Sequence, residues 1–459
     1  VVIDPVPGFY TSCVSTVDFA SLYPSIMIAF NMCYTNRRCC VTPFEMARSL
    51  GLPEKAAKVI LGYVGPAHGS MLRAIPADAR EYHRCGNADF SKKTTGLLPS
   101  ILKTLLLNRK RAKKELSRAE TDLDRNILNG KQLALKLCAN SLYGFTGTSM
   151  ALGMLPCPDI ASSVTHMGRK LIVSTKRKCE ARFGVQGVYG DTDSVFFHHA
   201  NITNVSEASD MAREMATYMN TMFPKPIELE FEKVYAPFLL MAKKRYVGNK
   251  FDEGKSPPVI DAKGVEMIRR DNFPLLPRTM QECVQSLMRN NVEEALQRVS
   301  DVMQYIRTEA NLDVSVFTIS KELTKPVTEY SAMPPHVVVA SRVPHDVHER
   351  VQYIVSNAYG SIGDKAAHPS EMRSKSVDRP WYAAQLQRSM RRILKHCCSD
   401  ERMTRAFSAG QENEIMSTGH EPILLSLGAS TDTVVRRKRK PALITQTKQK
   451  RQMTLAQFL

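Results

Sequence analysis

The sequence predicts an α+β fold, and three observations lead to this prediction. Residues 185–197 alternate apolar side chains around Gly190-Asp191-Thr192-Asp193, which is typical of an antiparallel hairpin. Residues 97–143 are strongly charged with a helical pattern, and Asn129-Gly130 is the predicted turn between two antiparallel helices. Residues 228–247 have the apolar pattern of strands.

The remaining elements follow from the same patterns, taken in chain order. Residues 1–40 indicate extended segments joined by turns, with a short apolar strand at Thr16–Phe19. The spacing of apolar residues predicts helices over 43–62, 160–183, 207–222 and 276–310. Residues 63–95 are predicted to be irregular and loop-rich, and order is expected to weaken after about residue 395.

Composition limits the classes of function. The chain has 459 residues and a formal net charge of +18, so a polyanionic partner such as nucleic acid is favoured over a basic protein without one. Its eleven cysteines include no C-x-x-C pair, so no zinc or iron–sulfur site is evident. No apolar run reaches membrane-spanning length, which argues against a membrane partner. Because Val1 opens within an extended segment, we expect the chain to be the C-terminal part of a longer polypeptide.

Two acidic segments lie far apart in the sequence. Asp18 ends a predicted strand, and Asp191 and Asp193 lie at the tip of the predicted hairpin. A pair of Mg²⁺ ions about 3.5–4 Å apart requires carboxylates from more than one element, so these acids are candidate ligands. Ordinary turn aspartates are the alternative interpretation, because a D-x-D sequence alone is common.

A basic segment separates the two acidic ones. Arg109 and Lys113 are four residues apart and share a face of the first predicted helix, as Lys136 and Asn140 do on the second. Two helices folded against each other would direct Arg109, Lys113 and Lys136 toward a triphosphate opposite the metal ions, whereas Asn140 and Tyr143 could be plain packing residues. Most of the neighbouring cations are interpreted as a solvated face; they are Lys103, Lys110, Arg111 and Lys114.

Three motifs carry a family resemblance. Asp18-Phe-Ala-Ser-Leu-Tyr-Pro-Ser-Ile, Lys136-x-x-x-Asn140-Ser-x-Tyr143-Gly144 and Tyr189-Gly-Asp-Thr-Asp-Ser resemble, in this order, the motifs of B-family DNA polymerases. The match covers about residues 11–395 and is closest to the delta-type and herpesvirus-type replicative enzymes. It implies a right-hand fold with an antiparallel palm sheet, helical-hairpin fingers and a mostly helical thumb. The implied division is palm 1–95 and 146–265, fingers 96–145, thumb 266–427, and a flexible basic tail over 428–459.

The resemblance also implies the roles of residues in the site. Asp18 and Asp193 would hold two Mg²⁺ ions with the Phe19 carbonyl as a further ligand, and Asp191 would be a supporting catalytic acid. The implied nucleotide-binding residues are Ser21, Leu22, Tyr23, Arg109, Lys113, Lys136, Asn140 and Tyr143. Tyr23 would pack under the sugar, where a 2′-hydroxyl clashes, so deoxynucleotides are the expected substrates; a plain core tyrosine is the alternative.

Basic residues after the palm motifs suit a duplex. A cluster that follows the apolar run Phe238–Ala242 favours contact with the backbone of primer–template DNA. The predicted DNA-binding residues are Lys243, Lys244, Arg245, Tyr246, Lys263, Arg269 and Arg270. Each could instead face solvent.

The C-terminal segment suggests a further partner. Residues 436–459 hold eight Lys or Arg and no acid, which indicates a flexible tail. Its last residues, Gln452, Leu455, Phe458 and Leu459, resemble a peptide that binds a sliding clamp, although the last position departs from the usual aromatic. Arg436–Lys440 followed by Pro441 resembles a nuclear localisation signal, or equally a DNA-binding tail, so a nuclear location is expected.

The predicted function is DNA-templated DNA synthesis, in which dNTPs are added to a primer 3′-hydroxyl by two-metal phosphoryl transfer during replication. The alternative is a catalytically inactive, polymerase-like scaffold that binds DNA and a clamp. An RNA-synthesising enzyme is disfavoured by Tyr23. The chain departs from delta-type enzymes because it lacks their cysteine-rich terminal modules, and nothing in this segment supports 3′–5′ exonuclease activity.

Overall fold

A computed structural model of the protein describes residues 2–38, 82–85, 88–149, 156–252, 257–265, 267, 271–374 and 376–411. The strands of these residues are β1 Val2–Ile3, β2 Gly8–Tyr10, β3 Val14–Phe19, β4 Arg37–Arg38, β5 Tyr82–Cys85, β6 Ala88–Ser91, β7 Gln186–Asp191, β8 Ser194–His198, β9 Leu229–Ala242, β10 Arg245–Phe251, β11 Val259–Lys263, β12 Ile319–Glu322, β13 Arg350–Val355 and β14 Ala366–Ala367. The α-helices are α1 Leu22–Ala29, α2 Leu97–Leu116, α3 Asp122–Thr146, α4 Pro158–Phe183, α5 Val205–Asn220, α6 Leu275–Met288, α7 Val292–Thr308, α8 Pro335–Ala340, α9 Arg379–Leu394 and α10 Asp400–Phe407.

The principal sheet is antiparallel and has eight strands. Its order is β1-β7-β8-β3-β9-β10-β11, and β2 adds to β9. Strand β3 lies in the middle, paired with β8 on one side and β9 on the other. The α+β prediction is therefore confirmed, and so is the hairpin predicted over 185–197, which is formed by β7 and β8.

Apolar packing fixes this sheet on both faces. Helices α1, α4 and α5 pack on one face through a core that includes Ile26, Val164 and Met215, all fully buried. An aromatic layer packs on the other face of the sheet. Its members are Tyr189, Phe196, Tyr235, Phe238 and Tyr246. Burial of this much aromatic surface contributes strongly to stability, since each ring removes roughly 150–250 Å² from water.

A second group of elements follows the principal sheet. Helices α6, α7, α9 and α10 share one apolar core with the small sheet β12-β13-β14. Tyr382 of α9 ties helix to sheet, because its buried hydroxyl donates to the Phe317 carbonyl at 2.9 Å and accepts from the Val355 N–H at 3.0 Å. No helix in the described ranges combines the length and apolarity needed to cross a bilayer.

The helical hairpin is present, but its predicted turn was wrong. The chain reverses at residues 117–121, and Gly130 lies inside α3. Thr121 caps α3 by accepting the Asp124 N–H at 3.1 Å, and Asp122 and Asp124 lie in the first turn, where the helix dipole favours acids. These local interactions outweigh the turn preference of an Asn-Gly pair.

Two further expectations need correction. Residues 82–91, predicted to be irregular, include β5 and β6, which form a three-stranded sheet with β4. Residues 400–407, beyond the point where order was expected to weaken, form α10, because Met403 and Phe407 pack into the core shared with α7 and α9. The helix predicted over 43–62 lies outside the described residues.

Candidate active site

Two acids, one on a strand and one in a neighbouring turn, lie beside each other in the middle of the principal sheet. Asp18 stands near the end of β3, directly opposite Ser194 of β8. The tight turn between β7 and β8 places Asp193 beside it, and the Phe19 N–H donates to the Asp193 carbonyl at 2.9 Å. On its other side Asp18 pairs with Glu230 of β9. The sheet register thus brings together acids from two strands and from the β7–β8 turn.

These acids form one wall of a cavity of about 600 Å³. The predicted residues that line this cavity are Asp18, Phe19, Ser21, Leu22, Tyr23, Arg109, Lys113, Lys136, Asn140, Tyr143 and Asp193. Strands β3 and β9 and the β7–β8 turn supply the acids, whereas α2 and α3 supply the cations. The cavity therefore has an anionic side on the sheet and a cationic side on the helical hairpin.

Arg109 is the most constrained cation of the cavity. Its Nη1 donates to the Ser21 Oγ at 2.7 Å, which links α2 to the start of α1. Its Nε is buried and has no hydrogen-bond partner among the described residues. Burial lowers the pKa of Arg109, while the nearby Glu230 acts in the opposite direction. A buried guanidinium nitrogen without an acceptor fits an anionic ligand.

The start of α1 also faces the cavity. Ser21 has a left-handed backbone, with φ at 51°, and the helix begins immediately after it. The first N–H groups of a helix have no intrahelical acceptor and carry partial positive charge, so they favour a phosphate. Pro24, the third helical residue, has no N–H to satisfy.

Two tyrosines meet between the helices. The rings of Tyr23 in α1 and Tyr143 in α3 have centroids 4.5 Å apart, tilted by 52°. Gly168 of α4 permits this position, because a Cβ there would lie 3.3 Å from the Tyr23 ring. Tyr23 is therefore held by packing on two sides while it still lines the cavity.

The electrostatics of the acids fit a cation. Burial raises the pKa of Asp18 to about 8, with further increases from Asp193 and Glu232, while Lys136 and Lys233 oppose them. Burial likewise raises the pKa of Asp193 despite Lys136. Crowded, desolvated carboxylates are stabilised in their charged form by a metal ion.

Few ligands for a metal come from the protein itself. In the ranges that the structure describes, no three His, Cys, Asp or Glu side chains converge in a metal-holding group. Mg²⁺ retains waters and takes phosphate oxygens, so two carboxylates and a backbone carbonyl suit it. Asp18, Asp193 and the Phe19 carbonyl are therefore compatible with Mg²⁺.

Asp191 has a different environment from the other acids. Its carboxylate accepts from the Lys244 Nζ at 2.9 Å through both oxygens, and it does not line the cavity. Lys244 adopts a left-handed backbone, with φ at 60°, and its N–H donates to the Tyr189 hydroxyl at 2.9 Å. Asp191 thus links the β7–β8 hairpin to the start of β10.

The predicted DNA-binding cations cluster around that link. Lys243 pairs with Asp4 at 2.5 Å, and Lys263 pairs with Asp261 at 3.1 Å. The Arg245 Nε donates to the Gly264 carbonyl at 3.1 Å. These side chains lie at one end of β10 and β11. The Lys243–Asp4 pair is exposed on both sides and is worth little, whereas Asp191 and Asp261 are mostly buried beside exposed lysines.

Tyr246 does not belong to this exposed group. Its side chain is only 8% exposed and packs in the aromatic layer of the sheet, unlike the exposed lysines, and its contact with DNA remains a prediction. Strand alternation explains the difference, because residues that follow one another along a strand point to opposite faces. Arg269, Arg270 and the C-terminal residues Gln452, Leu455, Phe458 and Leu459 lie outside the described residues.

Among the residues that line the cavity, the sequence patterns missed four charged ones. Lys103 and Lys110 were interpreted as part of a solvated face, but both line the cavity. Glu228 and Glu230 line it from the β9 side. Their alternation, Glu228-x-Glu230-x-Glu232, indicates one face of a strand, but only the pairing with β3 shows what that face meets.

Comparison with known proteins agrees with this geometry. The model of DNA polymerase family B matches residues 1–397. The chain is 38% identical to the DNA polymerase delta catalytic subunit of Oryza sativa over 380 residues, covering 79% of the chain and 32% of that protein. It is 37% identical to the subunit of Mesocricetus auratus, over 78% of the chain and 31% of that protein. For Drosophila melanogaster the identity is 36%, over 87% of the chain and 36% of that protein. The chain spans about a third of the length of these relatives.

Proposed function

The chain belongs to DNA polymerase family B, and from this premise we propose that it adds deoxynucleotides to a primer 3′-hydroxyl under the direction of a template. One observation carries the proposal. A single cavity brings Asp18 on β3 and Asp193 in the β7–β8 turn opposite Arg109, Lys113 and Lys136 on the helical hairpin. Phosphoryl transfer depends almost entirely on this kind of positioning and charge stabilisation.

The cationic side of the cavity binds the triphosphate of the incoming nucleotide. Arg109 offers a planar fork with a buried, unpartnered Nε, whereas Lys113 and Lys136 act as point charges. The first N–H groups of α1 add backbone donors on the sheet side. Together they neutralise the polyphosphate and align its α-phosphorus with the primer.

The anionic side of the cavity holds the divalent cations. Asp18, Asp193 and the Phe19 carbonyl are the proposed ligands of two Mg²⁺ ions, and Asp191 supports them through Lys244. Bound Mg²⁺ supplies activation of the attacking hydroxyl and charge stabilisation of the leaving pyrophosphate. The raised pKa of Asp18 supports this assignment, because a cation relieves the repulsion between these carboxylates.

The tyrosine pair selects and positions the nucleotide. Tyr23, Asn140 and Tyr143 all line the cavity. In the proposed complex Tyr23 packs under the sugar and leaves no room for a 2′-hydroxyl, Tyr143 lies near the nascent base pair and Asn140 contacts the nucleotide. The rings of Tyr23 and Tyr143 are in contact, with centroids 4.5 Å apart, which supports a shared role because movement of one ring displaces the other. Discrimination against ribonucleotides follows from a steric clash rather than from a hydrogen bond.

The duplex lies along the cations near β10 and β11. Lys243, Lys244, Arg245 and Lys263 are the proposed backbone contacts, as exposed charges that can exchange their present partners for phosphates. The assigned subdomains are palm 1–95 and 146–265, fingers 96–145 and thumb 266–427. The hairpin at Leu97–Thr146 and the α6–α10 group support this division. Binding of a sliding clamp by the C-terminal peptide and a nuclear location belong to the same proposal.

An Asp193→Asn variant tests the reaction. We expect Mg²⁺-dependent primer extension to fall about a thousandfold, since several kcal/mol of charge stabilisation is lost, while binding of primer–template DNA stays near wild type. Asp210→Asn is the matched control, because Asp210 is an exposed acid paired with Arg213 on α5. Wild-type extension by Asp193→Asn would contradict the proposal, and wild-type protein that binds DNA without extending it would be an inactive scaffold.

A further inference from the structure

Two cations of the cavity have no role in the proposed function. Lys103 and Lys110 both line the cavity and are exposed, and neither has a carboxylate within ion-pair distance in the part of the chain that the structure describes. On α2 they are about two turns apart and within about 20° of each other around the helix. They therefore form a row of their own, about 90° around α2 from the row of Arg109 and Lys113.

Helices α1 and α2 run antiparallel beside this part of the cavity. At the start of α1, the Ser21 Oγ accepts from the Arg109 Nη1 at 2.7 Å. Beyond the end of α1, the Cys33 Sγ accepts from the Leu98 N–H, near the start of α2, at 3.4 Å. The two helices are thus in contact at both ends, and Lys103 lies between these contacts along α2.

The cavity continues between these helices as what we call the α1–α2 groove. Its lining residues are Ser25 and Ile28 of α1 and Lys103, Leu106 and Lys110 of α2. None of these five is acidic, whereas the acids of the cavity lie near the start of α1. Lys103 lies about 9 Å from Arg109 along α2. The groove therefore leads from the proposed triphosphate site toward a positive charge that no acid of its lining opposes.

The tyrosines of the cavity lie on another side of α1. Tyr23 and Ser25 are two residues apart, so they point to nearly opposite sides of the helix. Gly168 of α4 packs against the Tyr23 ring, and the Tyr143 ring of α3 contacts it. The sugar and base, which the proposed function assigns to the tyrosines, therefore lie away from the groove, which is left to the phosphate end of the nucleotide.

We propose that the α1–α2 groove receives the pyrophosphate split from the incoming nucleotide and holds it through Lys103 and Lys110 before it leaves the protein. The inference rests on the proposed polymerase function, which makes pyrophosphate a product. In that reaction the primer oxygen bonds to the α-phosphorus as the bond from this phosphorus to the bridging oxygen breaks. The electron pair of the broken bond stays on the pyrophosphate, and the hydroxyl proton passes to water.

The charge and mobility of the product explain why it moves. Before cleavage the α-phosphate keeps the chain of phosphates beside the acids, and after cleavage the pyrophosphate is free to leave Arg109. Lysines act as point charges on flexible stems and suit such a transient contact better than a planar fork does. Product release limits the turnover of many enzymes, so a site of this kind affects the rate at which nucleotides are added.

Inhibition of primer extension by inorganic pyrophosphate tests the inference. Lys103→Gln removes the charge at the far end of the groove, and we expect the ratio of the inhibition constant for pyrophosphate to the KM for dNTP to rise about tenfold, the lower end for a hydrogen bond to a charged group. Lys114→Gln is the matched control, because Lys114 lies on the same helix, is exposed and does not line the cavity. It should keep the wild-type ratio. Arg109→Met should raise both constants together.

Calorimetric titration with pyrophosphate measures the groove without catalysis. Wild-type protein, free of primer and nucleotide, should bind pyrophosphate about tenfold more tightly than Lys103→Gln does. Inorganic phosphate is the comparison probe and should bind less tightly than pyrophosphate, because a single phosphoryl group contacts fewer of the cations. Circular dichroism establishes that each variant is folded.

The outcomes separate this inference from the proposed function. If Lys103→Gln and Lys114→Gln share one inhibition constant and one affinity for pyrophosphate, the groove does not bind the product and the inference is overturned. It is equally overturned if Lys103→Gln weakens dNTP and pyrophosphate to the same extent, since Lys103 would then contact the triphosphate, or if phosphate binds as tightly as pyrophosphate. Protein that binds pyrophosphate through Lys103 but does not extend primers would contradict the proposed function and leave the groove as a pyrophosphate site.

Discussion

Replacing Arg109 by methionine tests how much the cationic side of the cavity contributes to nucleotide binding. Methionine keeps most of the length of the side chain but removes the charge and the donor to the Ser21 Oγ. A hydrogen bond to a charged group contributes about 1.5–3 kcal/mol, which corresponds to roughly ten- to hundredfold in rate. The buried Nε, which has no acceptor among the described residues, places this side chain at the upper part of that range.

Single-nucleotide incorporation at varied dNTP concentration measures the effect. We expect Arg109→Met to lower kcat/KM for the dNTP by about ten- to hundredfold, and Arg109→Lys to lose less, since the charge remains while the planar fork is lost. Arg111→Met is the matched control. Arg111 lies on the same helix but is exposed and does not line the cavity.

One result would refute this reasoning. If Arg109→Met and Arg111→Met gave the same kcat/KM within about twofold, while both variants remained folded, Arg109 would not bind the nucleotide. Its link to Ser21 would then be only structural. A thermal unfolding scan separates that case, because a structural role lowers the Tm without a specific effect on the dNTP.

Three other predictions follow from particular contacts. Tyr23→Ala should narrow the preference for dNTP over rNTP, measured as the ratio of their kcat/KM values, and an unchanged ratio would contradict the steric role of this ring. Gly264→Ala should lower the free energy of unfolding by about 1–3 kcal/mol, because φ is +65° and a Cβ would lie 2.3 Å from the Lys244 carbonyl. Gly130→Ala in α3, where a Cβ meets nothing within 4 Å, should instead raise the free energy of unfolding. A urea titration measures both changes. Burial beside His198 lowers the pKa of His199 to about 4. As the pH falls, His199 therefore binds a proton in the unfolded chain before it does so in the folded one. The free energy of unfolding decreases between about pH 6.5 and pH 4, and His199→Leu should reduce this loss.

Much of the site could be predicted because its motifs are local. The strand before Asp18, the hairpin around Asp193 and the helical spacing of Arg109, Lys113 and Lys136 all follow from short-range patterns. Each pattern determines the face of the strand or helix on which a side chain lies, and these faces line the same cavity. The roles of these residues remain proposals.

What could not be predicted depends on long-range pairing or on competing local interactions. Glu230 meets Asp18 only through the register of β9 against β3. Tyr246 follows three cations in sequence, yet the pleat turns its ring inward to Phe238 and Tyr189. The cap that Thr121 forms at the start of α3 outweighs the turn preference of the Asn129-Gly130 pair.

The shape of the helical hairpin offers a practical handle on the molecule. Its reversal at residues 117–121 is exposed, and Ser117 lies eight residues, or about 12 Å, past Arg109 along α2. A dye attached at Ser117 would lie outside the cavity and would move together with the cations of the same helix. Energy transfer to a second dye on the α6–α10 group would thus report the distance between that group and the hairpin in single molecules, without any change to a residue that lines the cavity.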